Sequence, residues 1–169
     1  MTTVQPDARP LLRAKVGGVG WDFNAAHTGL HDGVFEPLHG HTYQVELAAW
    51  GPADETGLVA DFRVLKQHLR EVITPLKRRT LIATRTAGVS VEDADQGQIQ
   101  VNGGGACFTL PKAWVVLLPT SGTSTEALAC YLVAQLARRI STACPGVERL
   151  ELTLTESAEC AATAEAVLG

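Results

Sequence analysis

The sequence has little basic charge, few aromatic residues and no long apolar run. Of its 169 residues, 14 are Lys or Arg and 18 are Asp or Glu, which gives a net charge of −4. Because nucleic-acid binding depends on a basic surface that neutralises phosphates, we expect no nucleic-acid partner. The polar N-terminus, MTTVQPDARP, lacks the apolar core of a signal peptide, and no later segment has the length of a membrane span. We therefore expect a cytoplasmic protein with no membrane partner.

The sequence also lacks any CxxC pair among its four cysteines. A chain of this size, with 46% apolar residues, buries a sufficient core without disulfide bonds. We expect four reduced thiols, at Cys107, Cys130, Cys144 and Cys160.

The first half of the chain combines strand and helix patterns. Residues 1–10 read as a flexible arm that precedes a single domain over residues 11–169. Alternating side chains predict one strand that ends near His27 and another that begins at His39, with a loop over residues 28–38 between them. Helical spacing then predicts a helix that ends near Pro75, with an apolar face formed by Phe62, Leu65, Leu69, Val72 and Ile73.

The second half repeats this order. Strands are predicted near residues 98–101 and 106–110, joined by a glycine-rich turn. Residues 123–126 read Thr-Ser-Thr-Glu, a capping box that predicts the start of a second helix, and a last strand runs over residues 150–156. The alternation of strands and helices predicts an α+β fold, in which two helices pack on one face of an antiparallel sheet.

Three histidines form a candidate metal site. His39 and His41 point to the same face of their predicted strand, and His27 can approach them from the neighbouring strand. Three imidazoles that leave one coordination position open suit a catalytic zinc ion. Two histidines separated by one residue, such as His39 and His41, are however also common without a metal. His31 lies in a glycine-containing loop and His68 on the polar side of a helix, so we interpret both as solvated residues.

Glu156 is the second informative residue. It shares a face with Leu150, Leu152 and Leu154, so its carboxylate points where apolar side chains point. A carboxylate in that place needs a partner, which could be a salt bridge or backbone amides. It could also be the adjacent N–H donors of an amino-pyrimidinone ring, as in a pterin or guanine.

Five motifs, taken together, resemble the family of 6-pyruvoyl-tetrahydropterin synthase and 6-carboxytetrahydropterin synthase. They occur in the family's order over roughly residues 20–160. They are FNAAH (23–27), LHGHTYQVEL (38–47), DETGLVADFRVLK (54–66), TSTEALACYL (123–132) and LTLTES (152–157).

The resemblance implies a fold, a metal and a ligand. It implies the tunnelling fold, with a four-stranded antiparallel sheet, and homo-oligomers in which trimers stack into hexamers with sites at subunit interfaces. It implies zinc held by His27, His39 and His41. It further implies a pterin anchored by Glu156, and we expect Thr123 and Ser124 to bind the substrate beside it.

The chain departs from the family pattern at two places. Glu36 stands where the family usually has a catalytic cysteine, which resembles a branch that uses glutamate and cleaves the side chain of dihydroneopterin triphosphate. Lys77 and Arg78 stand where an Asp-His proton relay is usual. Solvated loop residues remain the alternative for all three.

The resemblance therefore implies a zinc-dependent lyase. We expect retro-aldol cleavage of 7,8-dihydroneopterin triphosphate, in which Glu36 moves the proton and Lys77 or Arg78 holds negative charge. The alternative is a diverged relative that binds a pterin or purine without the family reaction, or acts on a related substrate.

Overall fold

The computed structural model describes residues 10–168, and it is built around one long antiparallel strand pair. The pair consists of β1 (Leu11–His27) and β4 (His39–Pro52). The other strands are β2 (Leu30–His31), β3 (Val34–Phe35), β5 (Arg79–Ala83), β6 (Ser90–Ala94), β7 (Gln98–Gly103), β8 (Ala106–Pro111), β9 (Val115–Leu118), β10 (Arg149–Thr155) and β11 (Ala161–Val167). The helices are α1 (Phe62–Ile73) and α2 (Thr125–Ala143), with short 3-10 turns at Thr74–Leu76, Asp95–Gly97 and Lys112–Trp114.

The main sheet contains six strands in the order β11-β10-β4-β1-β5-β9. The first four are antiparallel, while β5 is parallel to β1 and β9 is parallel to β5. The α+β class is confirmed, but the predicted four-stranded antiparallel sheet is too small. Strands β5 and β9 are short apolar segments without alternation, as is usual where helices and loops cover both faces of a parallel pair, so the period of two could not reveal them.

The glycine-rich hairpin forms, but in a separate sheet. Strands β7 and β8 pair with β6 in a three-stranded sheet, and the turn is the two residues Gly104 and Gly105, both with positive φ. Such a turn matches the twist of the flanking strands. This small sheet packs through Ile99 and Val101 against Ile82 of β5.

The two helices cover one face of the main sheet. Side chains of β4 and β10 alternate between buried and partly exposed positions, and the buried ones meet both helices in a single core. Pairing of β1 with β4 shifts register between Gly17 and Asp22, which marks a β-bulge or irregularity in this pair. A Cβ on Gly17 would lie 2.3 Å from the carbonyl oxygen of Val45, so only glycine permits this close approach.

The helix boundaries agree closely with the sequence pattern, with one shift. Helix α1 ends at Ile73, just before Pro75, as predicted. The N-cap of α2 is Ser124, which accepts a hydrogen bond from the backbone N–H of Ala127, so the cap lies one residue later than a capping box starting at Thr123 requires. The shift leaves the Thr123 hydroxyl available for other contacts.

Three further predictions concern the cysteines, membrane-spanning helices and the N-terminal arm. All four cysteines are free, with Cys144 buried and the others exposed. No helix in residues 10–168 is both long and apolar enough to cross a membrane. The predicted N-terminal arm lies, apart from Pro10, outside the described residues.

Candidate metal centre and ligand cleft

The three candidate ligands meet where β1 ends and β4 begins. The register pairs His27 directly with His39 and places His41 opposite Ala25. Because residues two apart share a strand face, the three rings converge, with centroids 4.5, 5.2 and 4.9 Å apart. One nitrogen of each ring lies within 4.8 Å of the others, so the set could hold a metal ion.

Hydrogen bonds fix which ring nitrogen is free on two of the histidines. Nδ1 of His39 lies 2.8 Å from the carbonyl oxygen of Pro37, and Nδ1 of His27 lies 3.2 Å from Oγ1 of Thr123. A carbonyl can only accept, so Nδ1 of His39 carries the proton and Nε2 has the lone pair. An imidazole oriented through one nitrogen and free at the other is the usual arrangement for a metal ligand.

The site contains nitrogens that lack a partner within the described residues. Nε2 of His27 and Nε2 of His41 are buried and make no hydrogen bond. Burial, followed by the charges of His39 and His41, lowers the pKa of His27, so its ring is neutral near pH 7. Imidazole nitrogens that make no hydrogen bond and lie close together fit a borderline cation such as zinc.

Tyr43 forms the floor beneath the histidines. Its side chain is fully buried, and its ring lies 5.7 Å from that of His41 and 6.2 Å from that of His27. Burial, with a smaller contribution from Glu156, raises the pKa of Tyr43, so the phenol stays protonated. The aromatic floor keeps water away from the inner side of the site.

Glu156 lies immediately after β10, beside the histidines. The last pair of the ladder joins Thr155 to Gln44, so Glu156 continues onto the face of β4 that presents His41. Its Oε1 lies 2.8 Å from Nε2 of His41, although the N–H direction does not meet the requirement for a hydrogen bond, and its Oε2 accepts from the hydroxyl of Thr125. The carboxylate is about one quarter exposed and thus reachable by a ligand.

Glu36 comes close to the histidines through a hairpin that lies within the predicted loop over residues 28–38. Strands β2 and β3 are joined by Asp32 and Gly33, both with positive φ. This Asp-Gly turn is a strong hairpin signal between strand-like residues, and it could have been read from the sequence. The hairpin returns the chain so that the backbone N–H of Glu36 donates to the carbonyl of Gly29.

His31 contacts Glu36, a relationship that the sequence analysis missed. Its Nε2 lies 3.3 Å from Oε1 of Glu36, on the exposed rim of the hairpin. A Cβ on Gly29 would lie 2.8 Å from Oε2 of Glu36 and 3.1 Å from Nε2 of His31, so glycine leaves the room that this pair occupies. His68, by contrast, contacts Glu71 on α1, away from the candidate ligands.

Two of the candidate metal ligands, His27 and His39, border one cleft of about 440 Å³ together with Glu36 and Glu156. Ser124 and Thr125, at the start of α2, form another side of it. The cleft also exposes two further carboxylates and a thiol, from Glu126, Glu159 and Cys160. Among the described residues, its lining includes no Lys or Arg.

Lys77 and Arg78, which stand where the Asp-His relay is usual, lie in different surroundings. Lys77 lies outside the cleft, with Nζ 3.9 Å from Oδ1 of Asp22 and about half of its side chain exposed. Arg78 borders a neighbouring depression of about 460 Å³, which also includes His41, Arg79 and Trp114. Its φ of 58° is unusual for a residue with a side chain, and its backbone N–H donates to the carbonyl of Asn24.

The two residues expected to bind substrate also differ. Ser124 borders the cleft, whereas Thr123 is 2% exposed and does not. The Thr123 hydroxyl donates to the carbonyl of Thr28 and lies beside Nδ1 of His27. Thr123 thus supports the candidate metal ligand His27 and does not line the cleft.

Two comparisons with known proteins bear on this arrangement. The chain is 26% identical over 122 residues to a protein of Methanocaldococcus jannaschii, provisionally named 6-carboxy-5,6,7,8-tetrahydropterin synthase, and the match covers 72% of this chain and 74% of that protein. The crystal structure of 6-pyruvoyl tetrahydropterin synthase from Plasmodium vivax superposes with a TM-score of 0.87 at 26% identity, covering 94% of this chain and 99% of that one.

A variant of the same Plasmodium vivax enzyme is also similar, with a TM-score of 0.86 and the same coverage and identity. In it, a glutamate described as a catalytic residue is replaced by alanine. Finally, the sequence profile of the 6-pyruvoyl tetrahydropterin synthase family matches residues 19–166. The chain belongs to the 6-pyruvoyl tetrahydropterin synthase family.

Proposed function

We propose that the protein is a zinc-dependent lyase that cleaves the side chain of 7,8-dihydroneopterin triphosphate. The observation that carries the proposal is a cluster of three histidines able to hold a metal, two of which, His27 and His39, border one cleft with Glu156 and Glu36. This combination would place a metal site, an anchor for the pterin ring and a base close to one another.

Glu156 is proposed to hold the pterin ring. A carboxylate accepts two parallel hydrogen bonds from the adjacent ring N–H and amino group of an amino-pyrimidinone. Thr125 already orients one carboxylate oxygen, and Ser124 adds a polar group at the same end of the cleft. The pterin would therefore enter with its amino-pyrimidinone edge toward α2 and its side chain toward the histidines.

His27, His39 and His41 would hold the zinc ion, which would supply a positive charge that lowers the pKa of substrate hydroxyls. Glu36 is proposed as the base that takes the proton from the side-chain hydroxyl on the second carbon. As the bond between the first two side-chain carbons breaks, the second carbon becomes an aldehyde, which leaves with the triphosphate. The electron pair stays on the first carbon, and returning the proton there gives a hydroxymethyl-pterin. The same carboxylate can hold and return that proton.

The Plasmodium vivax enzyme supports the role of Glu36. That protein also uses a glutamate described as catalytic, and it shares the fold of this chain at 26% identity. In this chain, Glu36 is the carboxylate that the β2–β3 hairpin presents to the cleft that His39 also borders. We assign the corresponding role to Glu36 on this basis.

Arg78 is proposed to bind the anionic tail of the substrate. The cleft itself presents only carboxylates among its charged groups in the described residues, which would repel a triphosphate. Arg78 and Arg79 border the neighbouring depression, whose lining also includes His41. Guanidinium groups suit phosphate oxygens, so Arg78 is proposed as the partner of a tail directed past His41. The geometry gives Lys77 a weaker case, because it faces Asp22.

We further propose that the protein is a homo-oligomer. Strands β9 and β11 are the two edges of the six-stranded sheet, and open edges tend to be covered in native proteins. Val167 of β11 is 82% exposed. A stacked pair of trimers would cover these edges, and native mass spectrometry of the purified protein measures the subunit number directly.

The decisive experiment incubates zinc-loaded protein with 7,8-dihydroneopterin triphosphate and separates the products by mass. A hydroxymethyl-dihydropterin product supports the lyase, and loss of that product in Glu36→Gln protein would assign the base. A carboxy- or pyruvoyl-pterin product would contradict retro-aldol cleavage. Unchanged substrate that nevertheless binds would favour the alternative, a pterin- or purine-binding protein, which is consistent with the absence of the Asp-His relay at residues 77–78.

A further inference from the structure

A chain of hydrogen bonds joins the candidate metal ligand His27 to the backbone of Glu36. Nδ1 of His27 lies 3.2 Å from Oγ1 of Thr123, and this hydroxyl donates to the carbonyl of Thr28 at 3.0 Å. The hydroxyl of Thr28 in turn donates to the carbonyl of Glu36 at 2.6 Å. His27, Thr28 and Thr123 are 5%, 8% and 2% exposed, so water cannot readily replace these bonds.

The direction of each bond follows from the chemistry of the hydroxyl groups. A threonine hydroxyl has one proton to donate and lone pairs to accept with. The Thr123 proton goes to the Thr28 carbonyl, which can only accept, so Thr123 must accept from Nδ1 of His27. Nδ1 of His27 therefore carries the proton, and the lone pair lies on Nε2, the buried nitrogen that makes no hydrogen bond within residues 10–168.

The remaining hydrogen bonds of this network fix the backbone of Glu36. Its carbonyl accepts from the hydroxyl of Thr28, and its N–H donates to the carbonyl of Gly29. Glu36 follows directly after β3, so these two bonds, rather than the sheet ladder, set the direction in which its carboxylate leaves the backbone. Thr28 thus connects the strand end that presents His27 with the hairpin end that presents Glu36.

We infer that Thr123 and Thr28 are positioning residues that place a metal ligand and the proposed base relative to each other. Thr123 fixes the tautomer and orientation of His27, as outer hydrogen-bond partners of metal-binding histidines commonly do. Thr28 fixes the backbone of Glu36. The role of Thr28 in turnover rests on the proposed function, whereas the roles of both residues in metal binding and loop order do not.

The test uses substitutions that remove one hydroxyl at nearly constant volume. Thr123→Val removes the acceptor of His27 and should lower zinc affinity by about 10- to 100-fold, the effect typical of lost outer partners. Thr123→Ser keeps the hydroxyl and should restore most of the affinity. Thr84→Val is the matched control, because the Thr84 hydroxyl also donates to a backbone carbonyl, that of Leu118, away from the histidines.

Thr28→Val should separate the two effects. The backbone carbonyl that accepts from Thr123 remains, so zinc affinity should change by less than about threefold, whereas losing one hydrogen bond should speed amide exchange at Glu36 about two- to tenfold. In an active enzyme, kcat should fall while KM stays near its original value. Thr28→Ser should reverse both changes.

Zinc affinity is measured by competition with a chelator, and amide exchange by mass spectrometry or NMR on the zinc-loaded protein. Should Thr123→Val not fold, Thr123→Ala provides the same comparison against Thr123→Ser. Zinc affinity in Thr123→Val equal to that of the Thr84→Val control, or exchange at Glu36 unchanged in Thr28→Val, would overturn the inference. If the unmodified protein shows no turnover, the proposed function fails, while these two measurements still decide the inference.

Discussion

Oε1 of Glu156 lies 2.8 Å from Nε2 of His41, so the proposed ligand anchor contacts a candidate metal ligand. The two residues come from distant parts of the chain and meet because β10 pairs with β4. A cation bound at Nε2 of His41 would take up the lone pair of that nitrogen and leave the carboxylate to a ligand. We therefore expect the metal ion and the pterin to bind neighbouring atoms that belong to different residues.

His39→Ala should abolish tight zinc binding. Removing one of three imidazoles takes away a direct ligand, so affinity should fall by more than the roughly 100-fold seen for outer partners. Isothermal titration of the metal-free protein with zinc measures the change. His68→Ala is the control, because His68 contacts Glu71 on α1 and should leave affinity intact. Equal zinc affinities of the His39→Ala and His68→Ala proteins would show that His39 is not a metal ligand.

Glu156→Ala should weaken pterin binding without loss of zinc. A hydrogen-bonded charged group contributes about 1.5–3 kcal/mol, so the Kd of a pterin should rise about 10- to 100-fold. Fluorescence titration with a pterin and metal analysis of the same sample give both values. Glu159→Ala removes another carboxylate that borders the cleft and should bind pterin normally. Equal pterin affinity in the Glu156→Ala variant and the original protein would reject the anchor.

Glu36→Gln should lower kcat by about 100- to 10,000-fold, the range expected when a general base is lost. The amide keeps the size of the side chain, so KM and zinc content should change little. Steady-state kinetics with 7,8-dihydroneopterin triphosphate measures both parameters. The comparison is Glu126→Gln, a second carboxylate of the cleft with no proposed role in the reaction. A kcat reduced equally in both variants would indicate a general effect of cleft charge.

His31→Ala should lower kcat modestly, by about two- to fivefold. The contact of His31 with Glu36 is exposed, and such pairs contribute about 0.2–1 kcal/mol. His31→Gln retains a nitrogen donor at similar reach and should recover part of the rate. No difference among the three proteins would show that the β2–β3 hairpin alone positions Glu36.

Arg78→Ala should raise KM for the triphosphate substrate about 10- to 100-fold, because a charged hydrogen bond to phosphate is lost. The KM of unphosphorylated 7,8-dihydroneopterin, which lacks the anionic tail, should stay the same. Arg63→Ala is the control, since Arg63 pairs with Asp61 at the start of α1. Lys77→Ala should have a smaller effect than Arg78→Ala, because Lys77 lies toward Asp22. An equal rise in KM for both substrates would place Arg78 near the ring instead.

The residues that could bind a metal, and the strand face on which they lie, can be read from the local sequence. His39 and His41 are two residues apart in an alternating strand, and this local period fixes their common direction. Alternation likewise directed Glu156 along the face of Leu154. Helical spacing and Pro75 fixed the extent of α1. These features depend on neighbours in the chain, so they can be read without the fold.

The remaining contacts of the site depend on how distant segments of the chain pack together. The contact of His31 with Glu36 requires the β2–β3 hairpin, and the support of His27 by Thr123 requires residues 96 positions apart to meet. The parallel strands β5 and β9 carry no alternation, so their place in the sheet depends on which neighbours bury them. Local periods fix where a side chain points, whereas pairing between distant segments decides what it touches.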